Sequence, residues 1–294
     1  MDADSVRQVR RFNRLVTQRV GALDDRYLAR DRPLGEARLL WEIGDEGRGL
    51  RVLRADLDLD SGYLSRLLRS LEAARLVVVA RTEGDGRIRV ARLTKRGRAE
   101  RALLDQRSDE LAESILAPLN EGQRRRLLAA MGEVERLLTA ATVTVRDIDP
   151  AHEAARHCLS AYVSELERRF DSGFVPERSI SADPADLRAP FGLLVVAFLR
   201  TEPIGCGAVK FHGRGPGEIK RMWVAKSARG LGVGRRLLTE LEARAASHGC
   251  RVVRLETNRA LAEAISMYRS AGYVEVAPFN DEPYAHHWFE KRLA

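Results

Sequence analysis

The chain has 294 residues, 45% of them hydrophobic, enough for about two domains that each bury a core. Its 50 basic and 42 acidic side chains leave a net charge of +8, which points to an anionic partner without locating it. The longest apolar run, Leu193 to Leu199, falls far short of the roughly 18 residues of a membrane span. No apolar stretch follows Arg7, Arg10 and Arg11 as a signal peptide requires, so the expectation is a soluble, cytoplasmic protein. Cys158, Cys206 and Cys250 are odd in number and form no CxxC, so they read as reduced core thiols.

Apolar residues Val9, Phe12, Val16, Val20 and Leu23 recur at helical spacing, predicting an amphipathic helix from Val6 to Tyr27, ended before Pro33. Shorter helices are predicted at 35–44, 50–56 and 60–74. In the last, Leu64, Leu67, Leu68 and Leu71 form one face, while Tyr63, Ser65, Arg66, Arg69 and Ser70 form the other. Val77 to Val79, the turn-rich stretch Glu83 to Gly86 and the alternating Arg87 to Val90 predict a β-hairpin, followed by helices at 94–117 and 121–141. Thr139 to Thr144 reads as a short junction, placing a domain boundary near residue 142 and limiting independent motion of the two halves. Asp149 and Pro150 are a suitable N-cap and first residue for a helix reaching Arg169. Strands at 191–200, 204–211 and 217–224, helix 233–248, strand 251–257, helix 260–271 and strands at 273–277 and 285–291 complete a mixed α/β domain, with no internal repeat.

In the first half, a helix, a turn, a basic-faced helix and an arginine-bearing hairpin make a winged helix-turn-helix, whose second helix fits the major groove. Between Ser61 and Arg101 there are eleven basic and four acidic residues, so +7 of the +8 lies there. Across residues 4–141 the sequence resembles the MarR family of transcriptional regulators. The resemblance rests on Leu57 to Glu72, on Asp85 and Arg87 in the wing, and on Leu93-Thr94-Lys95-Arg96-Gly97. It implies binding of double-stranded DNA at a palindromic operator through Ser61, Gly62, Tyr63, Ser65, Arg66, Arg69, Arg81, Arg87 and Arg89. It also implies a homodimer built by the first and the last two helices of residues 1–142.

In the second half, Arg229-Gly230-Leu231-Gly232-Val233-Gly234-Arg235-Arg236 is a glycine-rich turn opening a helix, a geometry that suits a pyrophosphate. A dinucleotide motif of G-x-G-x-x-G type fits less well: Arg235 or Leu237 falls at its third glycine, although Glu256 stands where its acid is wanted. The pattern Arg229-x-x-Gly232-x-Gly234 resembles the acetyl-CoA loop of the GNAT N-acetyltransferases. That resemblance extends over residues 143–294, through the strand Glu218 to Val224 and the segment Asn258 to Tyr273. It implies acetyl-CoA as donor and a small amine or peptide as acceptor. Met222, Trp223 and Val224 would hold the pantetheine arm and the acetyl carbonyl, Tyr268 would protonate the thiolate, and Glu218 would act as base. Glu218 also reads as a strand-end carboxylate paired with Lys220 or Arg221, and Tyr268 as a half-buried helix aromatic. Where many relatives carry an asparagine this chain has Leu261, and Asn258 is the substitute on the same approach. Phe170 to Arg178 and Phe279 to Tyr284 fall where the family builds its acceptor pocket. No metal is expected, since His286 and His287 lack any accompanying HExxH or carboxylate cluster and read as sheet residues or pocket walls.

The expected fold is thus two-domain, an α-rich winged helix-turn-helix (1–142) followed by an α/β GNAT fold with a mixed central sheet (143–294). The expected function is a bifunctional regulator and acetyltransferase. The alternative is a regulator whose second domain only senses acetyl-CoA or an amine.

Overall fold

A computed structural model describes every residue except 1, 24–26, 30, 83, 84, 172, 181, 182, 214 and 294, and the side chains of 82 and 85–87 also lie outside it. The chain forms two units, Met1–Ala130 and Met131–Ala294.

The first unit is helix-rich. It comprises α1 (Ala3–Arg19), α2 (Leu34–Ile43), β1 (Arg48–Gly49), α3 (Leu50–Asp56), α4 (Ser61–Ala73), β2 (Val77–Thr82), β3 (Asp85–Leu93) and α5 (Lys95–Leu116); α6 (Glu121–Thr142) runs on into the second unit. The helix expected to reach Tyr27 stops at Arg19. Gly21 takes φ +65°, and the N–H groups of Gly21 and Ala22 return to the carbonyls of Gln18 and Thr17, a left-handed glycine stop that Pro33 has no part in. The interruption expected to be two-stranded has three strands, ordered β1-β3-β2, because Arg48 and Gly49 pair antiparallel with Ala91 and Val90. The hairpin tip expected at Glu83 to Gly86 falls in part outside the described residues.

The leucine face of α4 is buried with Ala37, Leu39, Leu40 and Ile43 of α2, and with Leu53, Leu76, Val77, Leu93 and Leu104. Each of these larger side chains contributes roughly 1.5–3 kcal/mol. Asp60 caps α4 by accepting the Tyr63 N–H at 2.8 Å. Thr94 caps α5 through the Gly97 N–H at 3.0 Å, and its own N–H donates to the Leu76 carbonyl. This clamps the start of α5 onto Leu76 so tightly that a Cβ on Gly97 would overlap the Leu76 carbonyl oxygen. Gly97→Ala is therefore expected to destabilise the first unit by about 1–3 kcal/mol, read as a lowered urea midpoint.

The second unit holds β4 (Val143–Asp147), α7 (Glu153–Arg169), β5 (Gly192–Leu199), β6 (Glu202–Phe211), β7 (Gly217–Val224), α8 (Val233–Ser247), β8 (Val252–Thr257), α9 (Ala262–Ser270), β9 (Val274–Val276) and β10 (His287–Arg292). Residues 139–142, expected to be junction, are the last turn of α6, and β4 begins at once because Val143 and Val145 pair with Leu199 and Ala197. Helix α7 starts at Glu153, capped by His152 Nδ1, and not at Pro150. Asp149 is occupied otherwise: it accepts the Ala151 N–H and forms a two-point ion pair with Arg188, which holds a turn ahead of the helix.

The seven strands are ordered β4-β5-β6-β7-β8-β10-β9, antiparallel except for the β7/β8 pair, so the sheet is mixed. Strand β5 shows why its apolar run is continuous. Leu194, Val196 and Phe198 pack with Ala155 and Cys158 of α7 on one face, while Val195 and Ala197 pack with Leu237, Leu238 and Leu241 of α8 on the other. All three cysteines are buried and free.

Candidate functional site

Strands β7 and β8 pair only at Gly217↔Val253 and Glu218↔Arg254 and then part. The cause is a bulge. In the β6/β7 ladder Cys206 faces Trp223 and Ala208 faces Lys220, so Arg221 and Met222 together oppose Gly207. Arg221 adopts φ +57°, and Gly207 has no Cβ because one would strike Met222 Sδ and Leu241. Beyond the bulge, β7 swings from β8 and a cleft opens along Met222, Trp223 and Val224.

A cavity of about 540 Å³ fills this cleft, lined by Met222, Trp223, Val224, Arg229, Gly230, Gly232, Val233, Gly234, Arg235 and Tyr268, with α7 opposite. The turn 229–232 leads into α8, whose N-terminus carries no side-chain cap and whose Gly232 takes φ +74°. The first N–H groups of α8 have no partner within the helix, and such helix ends attract anions. Leu231 packs against the core instead, and Arg236 is exposed and outside the lining. Arg229, expected to meet the anion, is engaged: its Nη2 lies 2.6 Å from both Glu165 carboxylate oxygens and also reaches the Val224 carbonyl. Glu165 further accepts Trp223 Nε1 at 3.0 Å, so it fixes the loop to the strand. Burial opposes the Glu165 charge, but Arg229, Trp223 and Arg169 outweigh it and hold the carboxyl below its ordinary value. Arg235 donates to the neutral Ser270 hydroxyl at 2.6 Å.

A second, smaller cavity of about 90 Å³ adjoins the first. It shares Tyr162, Leu166, Met222, Leu261, Ala264 and Tyr268 with it and adds Phe170, Phe174, Glu256, Asn258, Glu282 and Tyr284. The aromatic groups of the two segments expected at the acceptor pocket meet here, Phe174 and Tyr284 having ring centres 4.9 Å apart. Asn258 lines this cavity rather than the cleft. Its amide donates to the Tyr284 carbonyl and its oxygen accepts the Ala260 N–H, so it secures the wall. Tyr268 stands between the cavities, 5% exposed, and burial, with Tyr162 and Glu256 adding, pushes its phenol well above its ordinary value.

Glu218 lines neither cavity. It is buried behind the cleft, with Lys220 Nζ at 2.8 Å, His212 Nε2 at 2.7 Å and Arg254 at 3.5 Å. Burial opposes its charge, yet Lys220, His212 and Arg254 keep its carboxyl below the usual value. Two carboxylates line the second cavity: Glu282, which is taken up by the Ser179 hydroxyl and the Ile180 and Tyr284 N–H groups, and Glu256. Burial raises the Glu256 carboxyl, Lys220 pulls it back only in part, and Glu218 adds to the rise. The sequence did single out Glu256, but as the acid of a dinucleotide motif; it lies beyond the last β7/β8 pair and lines the second cavity. His287 is a β10 residue paired with Glu275 at 2.6 Å. Among the described residues no cluster of His, Cys, Asp or Glu could hold a metal, and no helix is long and apolar enough to cross a membrane.

In the first unit, Ser61, Gly62, Tyr63, Ser65, Arg66 and Arg69 all lie on the exposed side of α4. The Arg66 guanidinium stacks 5.6 Å from the Tyr63 ring centre. Arg81 and Arg89 are exposed and directly opposite one another across the hairpin, while the Arg87 side chain lies outside the described residues.

Residues 159–273 match the model of the acetyltransferase (GNAT) family. The IAA acetyltransferase of Azospirillum brasilense is 35% identical over 138 residues, which are 47% of this chain and 88% of that protein. The chain belongs to the GNAT acetyltransferase family. As such it is an acetyltransferase, moving an acetyl group to an amine nitrogen. Among solved structures, this GNAT chain is similar to an acyl-CoA N-acyltransferase from Klebsiella pneumoniae (27% identity, TM-score 0.42), with 52% of this chain and 99% of that one covered. A GNAT-family acetyltransferase from Staphylococcus aureus is similar over the same shares, at 15% identity and TM-score 0.44.

Proposed function

We propose that the second unit transfers the acetyl group of acetyl-CoA to the primary amine of a small molecule or peptide. The observation that carries this is the position of Tyr268 between a long cleft ending at an uncapped helix and a small cavity holding a carboxylate. The pyrophosphate sits at the N-terminus of α8, the pantetheine arm lies along Met222 to Val224, and a backbone N–H of β7 stabilises the thioester oxyanion. An amine enters from the aromatic side, loses its proton to Glu256 and attacks; Tyr268 gives its proton to the departing thiolate and is restored from the nitrogen of the collapsing intermediate. Glu256 replaces Glu218 as the base because it alone of the two reaches the cavity. A pure sensor has no need of this acid and base pair. Calorimetry with acetyl-CoA tests the donor site: one-site binding is expected, and no detectable heat or competition would remove the reading.

The first unit is best read as a MarR-like winged helix-turn-helix that binds double-stranded DNA. Arg81 facing Arg89 is a repulsive cross-strand pair, an arrangement that becomes favourable against phosphates. Helices α1 and α6 have no buried residue, and Val9, Phe12 and Leu15 of α1 and Leu128 and Met131 of α6 are exposed, which supports pairing with a second copy. Binding to a member of a random duplex library is expected at low salt, with affinity falling linearly in log salt. Absence of binding to every member at low salt would refute this part.

A further inference from the structure

Glu256 is the inner end of an unbroken file of polar side chains. It is in contact with Lys220 Nζ; Lys220 Nζ is 2.8 Å from Glu218 Oε1; and Glu218 Oε2 is 2.7 Å from His212 Nε2. The three inner side chains are 10% exposed or less, whereas His212 is 37% exposed. The remaining neighbours hold the file without breaking it. Asn280 donates to both Glu218 and Glu256 at 3.5 Å and is itself fixed by Trp288 Nε1 at 2.8 Å, and Arg254 sits over the Phe279 ring beside Glu218. Asp186, the other acid acting on His212, is paired with Lys210 at 2.9 Å.

We propose that Lys220, Glu218 and His212 form a proton path that carries to solvent the proton Glu256 takes from the acceptor's ammonium group. The inference rests on the acetyl-transfer reading above. An ammonium acceptor and acetyl-CoA give an amide, CoA thiol and one surplus proton per turnover, and Glu256, whose side chain is only 8% exposed, must discharge that proton before the next cycle. In the path, Glu256 returns its proton to Lys220 as the Lys220 ammonium passes one to Glu218. The exposed His212 ring, whose Nε2–H donates to the ionised Glu218 at rest, first moves its hydrogen to Nδ1 by exchange with water; Glu218 then protonates the freed Nε2, and Nδ1 releases its proton to water. Each group ends in its starting charge, with the hydrogen of His212 back on Nε2. Glu218 and His212 line neither cavity and act through Glu256, whereas Lys220 stands in the wall of the second cavity beside Glu256.

The test uses the full chain with acetyl-CoA and three amine probes: 2-phenylethylamine, spermidine and a lysyl tripeptide. For His212→Ala in dilute buffer, kcat is expected to fall roughly tenfold, less than for a group touching substrate, with KM for acetyl-CoA unchanged. Added imidazole should restore kcat in proportion to its concentration and leave the wild type unaffected. His212→Gln, which keeps a hydrogen bond to Glu218 but cannot carry a proton, should remain slow until imidazole is added. Wild-type turnover in His212→Gln without imidazole, or no rescue of His212→Ala, would overturn the path while leaving amine acetylation intact. If the wild type releases no CoA with any of the probes, there is no proton to carry, and both readings fall together.

Discussion

Tyr268→Phe is expected to lower kcat by roughly 10²–10³-fold with the KM for acetyl-CoA changed by less than about twofold. The substitution removes one oxygen from a ring that also packs near Tyr273 and Phe289, with ring centres 5.8 Å and 6.2 Å away, so the wall between the cavities survives. What is lost is the proton for the departing thiolate. Because burial raises the phenol, Tyr268 keeps that proton throughout the neutral range, and it contributes no alkaline limb there. Steady-state release of CoA, alongside unchanged acetyl-CoA affinity by calorimetry, is the check. A Phe variant with wild-type turnover would assign the acid elsewhere.

Glu256→Gln is expected to cut kcat/KM for the amine by a similar factor, roughly 10²–10³, and to abolish the acid limb of its pH profile. The sign follows from the environment. Burial raises the Glu256 carboxyl, and only the ionised form accepts a proton, so wild-type activity should climb with pH along a limb lying above the ordinary carboxylate range. The Gln variant has nothing to ionise there, leaving a flat profile. Lys220 retains Glu218 at 2.8 Å, so the buried ammonium keeps a partner and the fold should persist. If the acid limb survives in Glu256→Gln, another group is the base.

Much of this was legible in the sequence where local patterns decide structure. The leucine stripe of α4, the hairpin and the glycine turn into α8 could be read from spacing alone, because each is set by neighbours within a few residues. What could not be read depends on distant partners. Asp149 looks like a helix cap until Arg188, 39 residues away, takes its carboxylate. Arg229 looks free for a phosphate until Glu165, 64 residues away, claims it. Glu218 and Glu256 are both strand carboxylates, and strand pairing separates them: Glu218 lies where β7 and β8 are still joined, Glu256 beyond their last pair, where the cavity opens. The charge surplus of residues 61–101 located a basic face, but it said nothing of the exposed apolar residues on α1 and α6.

The most direct measurement is release of free CoA from acetyl-CoA by the full chain across a panel of primary amines, with the acetylated amine weighed by mass spectrometry. Equal amounts of CoA and N-acetylated product, both absent when the amine is omitted, are the expected result. Acetyl-CoA binding without CoA release for any amine would contradict acetyl transfer and leave the second unit a sensor.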